Sequence, residues 1–194
     1  MSDNRVVFGL SNAHYAIWDD ETESYGTPVE IPGSVSLSIT AEGSTDTFYA
    51  DNIPYAAFTT NGGYTGELEV ATLEDDVFTN LLGYQLDTNG MIIEDASAEL
   101  PTWALLFEVS SNTRPQRYVF YNCVADRPDI EANTKTDSTD PDTATLPITM
   151  ITRTLTSDYG DIDAVKASVI DSDDTHDIYE GWYSAVTLPT ATAE

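Results

Sequence analysis

A two-residue rhythm constrains this chain more than any other feature. Val35-Ser36-Leu37-Ser38-Ile39-Thr40 alternates strictly, so an extended backbone puts Val35, Leu37 and Ile39 on one face and hydroxyls on the other. Gly66-Glu67-Leu68-Glu69-Val70 repeats the pattern with its carboxylates outward. Leu146, Ile148 and Met150 alternate with Pro147 and Thr149, and Val165, Ala167 and Val169 with Lys166 and Ser168. Ala104-Leu105-Leu106-Phe107-Glu108-Val109 and Arg117-Tyr118-Val119-Phe120-Tyr121 read as two strands of a hairpin closed by loop 110–116. Turn markers fall where strands should end, at Pro32-Gly33, Asn61-Gly62-Gly63 and Asn89-Gly90. Short strands at this spacing predict a mainly β fold of two packed antiparallel sheets, a β-sandwich or rolled barrel.

One helix interrupts the rhythm. Val77, Phe78, Leu81 and Leu82 form an apolar stripe at helical spacing. Thr72 is placed to cap it, with Asp75 three residues on; Glu74, Asp75 and Asp76 suit the helix dipole, and Gly83 supplies a stop. A second helical turn is expected near Thr175 to Gly181. Two connections are long. Residues 41–63 carry Phe48, Tyr49, Tyr55 and Phe58 among small and polar residues, and residues 126–145 are rich in Asp and Thr. Loops beyond about 12–15 residues in a compact domain are usually functional or disordered. The aromatics mark 41–63 as a loop that binds a partner, with packing on its own body as the alternative. Residues 190–194 read as a frayed C-terminus, and residues 1–194 as a single domain with length enough for a sizeable core.

The charge balance narrows function. Thirty-four acidic residues face 7 basic ones, for a formal net charge of −27. Gripping DNA takes about 6–10 Lys or Arg contacts to phosphate, and the basic residues here are scattered along the chain, so DNA-gripping is not expected. Repulsion between carboxylates 10 Å apart in water is about 0.4 kcal/mol per pair before screening. Summed over the chain it opposes casual self-association. Adaptation to a salty or acidic habitat is a competing account of the acidity.

A search for chemistry turns up no active site. The single cysteine, Cys123, lies in an apolar run and reads as a buried, inert thiol. His14 and His176 lack metal-ligand companions at motif spacing, and neither a Gly-rich phosphate loop nor a Gly-x-Ser-x-Gly elbow is present. Residues 137–142 and 171–177 are oxygen-rich, yet the second lacks the glycine and glutamate a helix-loop-helix calcium loop requires. Both read as solvated acidic loops. No apolar run approaches the roughly 20 residues that span a bilayer, and the first residues lack the basic and apolar regions of a signal peptide. No enzymatic activity, metal, cofactor or membrane association is expected.

The order of the segments carries a resemblance. Phe8-Gly9-Leu10-Ser11-Asn12-Ala13-His14-Tyr15-Ala16 is followed by Tyr25-Gly26-Thr27-Pro28, Ile31-Pro32-Gly33-Ser34-Val35 and Phe48-Tyr49-Ala50-Asp51-Asn52. Gly63-Tyr64-Thr65-Gly66-Glu67-Leu68-Glu69 precedes the helix. Leu82-Gly83, Asp87-Thr88-Asn89-Gly90 and Ala104-Leu105-Leu106-Phe107-Glu108 continue the series. Tyr121-Asn122-Cys123, Arg127-Pro128, Thr134-Lys135-Thr136-Asp137-Ser138 and Trp182-Tyr183-Ser184-Ala185-Val186 complete it. Taken as a set over roughly residues 7–189, the chain resembles the major tail tube proteins of siphophages of Gram-positive bacteria; residues 159–175 fit least.

The resemblance implies two β-sheets flanked by a helix, a design similar to the inner-tube protein of type VI secretion. It also implies a structural virion protein, assembled in the host bacterial cytoplasm. Six copies would close a ring, and rings would stack around the tape-measure protein between the tail terminator and distal tail proteins. Double-stranded DNA would pass through the lumen unbound. On this reading 41–63 is a long inter-subunit loop, and Phe48, Tyr49, Tyr55 and Phe58 lie at the interface. Arg114, Arg117, Arg127 and Lys135 would meet acids of neighbouring copies there. Glu67 and Glu69 would line the lumen. The alternative is an acidic β-sandwich that binds a surface and is stabilised by calcium.

Overall fold

A computed structural model describes residues 7–50, 52–111, 114–130, 142–157 and 160–190. Strands dominate: β1 (Val7–Asp19), β2 (Ser24–Tyr25), β3 (Val29–Glu30), β4 (Ser34–Ala50) and β5 (Ile53–Val70) precede helix α1 (Asp75–Leu81). The short β6 (Gln85–Leu86) and β7 (Ile92–Ile93), the central β8 (Trp103–Ser111) and β9 (Gln116–Ala125), and β10 (Ala144–Ile151) follow. Last come β11 (Arg153–Ser157), β12 (Gly160–Ala164), β13 (Lys166–Ile170) and helix α2 (His176–Gly181). The expected mainly β fold is present. Its strands share one large antiparallel sheet, ordered β2-β1-β8-β9-β10-β5-β4, with β3 on β1 and β13 on β9. Two small sheets, β11-β12 and β6-β7, flank it.

The sheet forks at β9. Residues 116–120 of β9 pair with β13, whereas residues 122–125 pair with β10, so two branches leave the same strand. Alternation then fills both faces. On β8, Trp103, Leu105 and Phe107 enter one core cluster, with Leu68, Val70, Leu146, Ile148 and Met150 of the β10-β5 branch and Val77 and Leu81 of α1. Ala104 and Leu106 enter the other, with Val119, Tyr121, Leu155, Val169, Tyr179 of α2 and Trp182 just past its end. A strand buried on both sides reads as a continuous apolar run, which explains residues 103–107. Cys123 lies wholly inside the first cluster, and burial pushes its thiol up to about 12.

The expected elements hold with local corrections. Helix α1 starts at Asp75, after Glu74 in extended geometry, and no side chain caps it. Thr72 stays exposed because Leu73 turns into the core cluster before the helix can begin. Val77, Leu81 and Leu82 are buried as the stripe required, and Gly83 ends the helix at φ +66°. Helix α2 forms where a second helical turn was expected. Asp87-Thr88-Asn89-Gly90 is the turn between β6 and β7, its Asp87 carboxylate accepting from the backbone N–H groups of Asn89 and Met91. Val35 departs from the alternation. The β4–β5 register shifts between Ser34 and Ser36, and Val35 points into solvent while Leu37 and Ile39 pack on the core.

Asn61-Gly62-Gly63 is not a turn. It lies within β5, where Glu42 pairs with Gly63 and Gly43 with Asn61, leaving Gly62 as an extra residue in a β-bulge. Gly63 has φ +87°, and a Cβ there would run into the Met150 carbonyl oxygen. Glycine is thus needed twice over, for conformation and for approach. We expect Gly63→Ala to lower stability by roughly 2 kcal/mol or more, read as a fall in the urea midpoint at unchanged slope. A midpoint within error of the parent would contradict the tight packing of β5 on β10.

Candidate assembly interface

The bulge divides the β4–β5 hairpin into a rooted half and a projecting half. In the rooted half three strands lie in register. Leu37, Leu68 and Leu146 align across β4, β5 and β10 on the core side, and Ile39, Gly66 and Ile148 follow. The outward side carries Ser36, Glu69 and Thr145 in one row, Ser38, Glu67 and Pro147 in the next, then Thr40, Thr65 and Thr149. Hydroxyls and carboxylates therefore cover this face, in a shallow depression of about 330 Å³ around Ser38, Thr65 and Glu67. Glu69 accepts hydrogen bonds from Ser36 Oγ (2.7 Å) and Thr143 Oγ1 (2.7 Å), which hold its carboxyl below the usual carboxylate range. Both expected lumen residues, Glu67 and Glu69, share this polar face.

The projecting half corrects the expectation of a loop over residues 41–63. β10 leaves β5 at Tyr64, opposite Met150. Beyond that point, among the described residues, 43–50 and 53–61 pair only with each other, as a two-stranded ribbon. Neither core cluster contains a residue from 43–63. The structure brings all four expected aromatics together here, with Phe48 56%, Tyr49 62%, Tyr55 73% and Phe58 65% exposed. Ile53, which sequence reasoning passed over, joins them at 59%. Phe48 and Tyr55 meet edge to face at 6.4 Å. The register Asp46↔Phe58 and Phe48↔Ala56 places those four residues on one face of the ribbon. A lone two-stranded ribbon is marginally stable in water, and exposed aromatic clusters mark contact surfaces. β4 is also the end strand of the sheet, paired with β5 alone among the described residues, so where β1 does not approach it its outer backbone groups are open to another strand.

The expected interface cations divide differently. Arg117 is committed within the chain. Its Nε donates to Glu108 Oε2 at 2.8 Å, its Nη1 to the Tyr179 carbonyl, and its guanidinium lies 3.7 Å from the centre of the Tyr179 ring. Both partners of the ion pair are largely buried, at 15% and 14% exposed, because the β8–β9 register sets Glu108 opposite Arg117 beneath α2. Arg127 pairs with Glu94 at 2.9 Å on the surface of the same chain. Arg114 is exposed beside the β8–β9 turn, and Lys135 lies outside the described residues.

Two further cations cover aromatic rings. Arg153 sits 4.1 Å from the Trp18 ring and donates to Thr102 Oγ1, and Lys166 lies 4.7 Å from the Tyr64 ring. Scattered single basic residues give no sequence signal for such contacts.

Residues 171–177 form the entry to α2. Thr175 N–H donates to the Ser172 carbonyl, and His176 Nδ1 lies 2.9 Å from Asp171, whose carboxylate raises the imidazole pKa. Among the described residues no group of three or more His, Cys, Asp or Glu side chains converges on a metal position, and no helix is long and apolar enough to cross a membrane. No family model matches the chain, and no curated protein matches it.

Proposed function

We propose that this chain is the tail tube subunit of a siphophage, a structural protein that closes into hexameric rings and stacks them into a conduit for DNA. One observation carries the reading: a long aromatic-bearing ribbon leaves the core at a bulge and, among the described residues, packs on neither core cluster. The outer β4 edge supports it, since edge-to-edge joining of neighbouring copies would satisfy backbone groups that otherwise invite aggregation. The hydroxyl and carboxylate face around Glu67 and Glu69 suits a lumen. DNA carries one negative charge per ~1.7 Å of duplex, and such a wall repels it weakly along its length and holds it nowhere. Partners on this reading are further copies of the chain, the tape-measure protein, and the tail terminator and distal tail proteins.

Electron microscopy of negatively stained protein across salt and protein concentration tests the proposal. The Debye length falls from about 10 Å at 0.1 M salt to about 3 Å at 1 M, so assembly between copies of charge −27 should rise with salt. Hollow tubes of uniform width or six-fold rings are the expected result. A monomer at every salt concentration, with a melting temperature that climbs in millimolar calcium, would favour the surface-binding module instead.

A further inference from the structure

A groove of about 510 Å³ lies between α1 and the start of β10, within the roughly 300–1,000 Å³ typical of binding clefts. Its apolar lining includes Leu73, Phe78, Tyr84 and Ala144, and the Phe78 and Tyr84 rings stack with centres 5.6 Å apart. Apolar surface continues past the groove. Tyr84 and Glu94, which line it, flank the β6–β7 hairpin, and that hairpin exposes Leu86, Met91 and Ile93. Ile130, also in the lining, is almost wholly exposed. Apolar surface gathered in this way marks a contact site.

The rim is acidic. Glu94, Asp129 and Asp142 stand there against one guanidinium, that of Arg127. Arg127 already pairs with Glu94 at 2.9 Å, so the charge left over at the rim is negative. Glu74, Asp75 and Asp76, all exposed, follow Leu73 and add to it. Carboxylates beside stacked rings suit a lysine or arginine, because the carboxylates attract its charge and the ring faces accept it.

The chain itself is a poor source of such cations. Arg117 and Arg127 are paired with Glu108 and Glu94, and Arg153 and Lys166 cover the Trp18 and Tyr64 rings. A second copy would also bring a net charge of −27. An anionic lipid surface is repelled by the same charge.

We infer that the groove between α1 and β10 receives a basic, amphipathic segment of a different protein. Its apolar side chains lie on Leu73, Phe78 and Ala144, and its lysine or arginine side chains lie beside Asp129 and Glu94. Recognition of an amphipathic helix in a groove combines these two contacts. The site is independent of tube assembly, since its occupant is not a copy of the chain.

Three labelled synthetic peptides test it by fluorescence anisotropy at about 0.15 M salt, where the Debye length is about 8 Å. One carries leucine on one helical face and lysine on the other. The second replaces its leucines with serine, and the third replaces its lysines with glutamate. The first is expected to bind at least about tenfold more tightly than the others. Asp129→Lys, at an exposed position, should weaken it about fivefold. Asp46→Lys makes the same change of total charge on the ribbon, opposite Phe58 and far along β5 from the groove, and should alter binding by less than about twofold. A polarity-sensitive dye on Thr72→Cys, exposed at the groove, should respond to the peptide, and the same dye on Thr60→Cys of the ribbon should not. Cys123 is fully buried and stays silent.

Equal losses from Asp129→Lys and Asp46→Lys, or equal dye responses at the two positions, overturn the site, because attraction to the overall charge then accounts for binding. Equally tight binding of the serine peptide overturns it too, as does no binding of the leucine-lysine peptide. None of these outcomes touches the tube reading, which electron microscopy decides separately.

Discussion

Excising residues 44–60 and joining Gly43 to Asn61 through an Asn-Gly turn should abolish assembly while leaving the subunit folded. Gly43 and Asn61 are paired across the strands, so a two-residue turn closes the shortened hairpin without disturbing its register. Both core clusters lie entirely outside the excised segment, and removing exposed ribbon should change unfolding free energy by no more than about 1 kcal/mol. Urea melts would show near-identical midpoints. Sedimentation and electron microscopy would show a monomer at salt concentrations where the full chain forms tubes. Tubes from the shortened protein would remove the ribbon from the interface altogether. A large loss of stability would mean instead that the ribbon packs on its own body.

Arg117→Met should be the most damaging change to the isolated subunit. It leaves the Glu108 carboxylate in a site only 14% exposed with no cation, and it frees the Tyr179 carbonyl and the Tyr179 and Tyr183 rings, which lie 3.7 and 5.0 Å from the guanidinium. Breaking a buried pair from one side costs about 3–5 kcal/mol because the remaining charge stays uncompensated. The double change Arg117→Met with Glu108→Met should recover much of that loss, since an apolar pair of similar volume needs no counter-charge. Chemical denaturation of the parent, both single variants and the double completes the cycle. If both single changes cost less than about 1 kcal/mol, the pair is an ordinary surface contact, and a role across a subunit interface returns as the account of Arg117.

The residues that follow a period of two in sequence are those with one face on a core. Leu37, Leu68, Leu146 and their outward neighbours form the observed three-strand ladder because burial on one side selects alternation. The ribbon from 43 to 61 has no buried side, so nothing imposes a period there. Adjacent Phe48 and Tyr49, with a glycine pair downstream, then look like a loop. For the same reason Asn61-Gly62-Gly63 was legible as a backbone irregularity but not as a bulge inside a strand.

Arg117 was closer to reach. Counting outward from a loop at 110–116 sets Val109 opposite Arg117, one residue from the observed register, in which Val109 faces Gln116 and Glu108 faces Arg117 because both strands run on into the expected loop. The groove between α1 and β10 had no such signal: Leu73, Phe78 and Tyr84 lie in one stretch around α1, but Arg127 and Ala144 come from far along the chain, and only the folded backbone gathers them.

The antiparallel ladder also decides how the subunit carries load. A pull on the ribbon tip along its own axis is resisted at once by the seven paired positions between β5 and β10 and by the pairs of β4 on β5. These hydrogen bonds are strained together, in shear, and must fail together. A pull across the ribbon strains the same bonds one pair at a time, beginning beside Gly63, where the third strand ends. The subunit is therefore stiff in tension along β5 and peels readily sideways, a mechanical anisotropy set by where β10 stops.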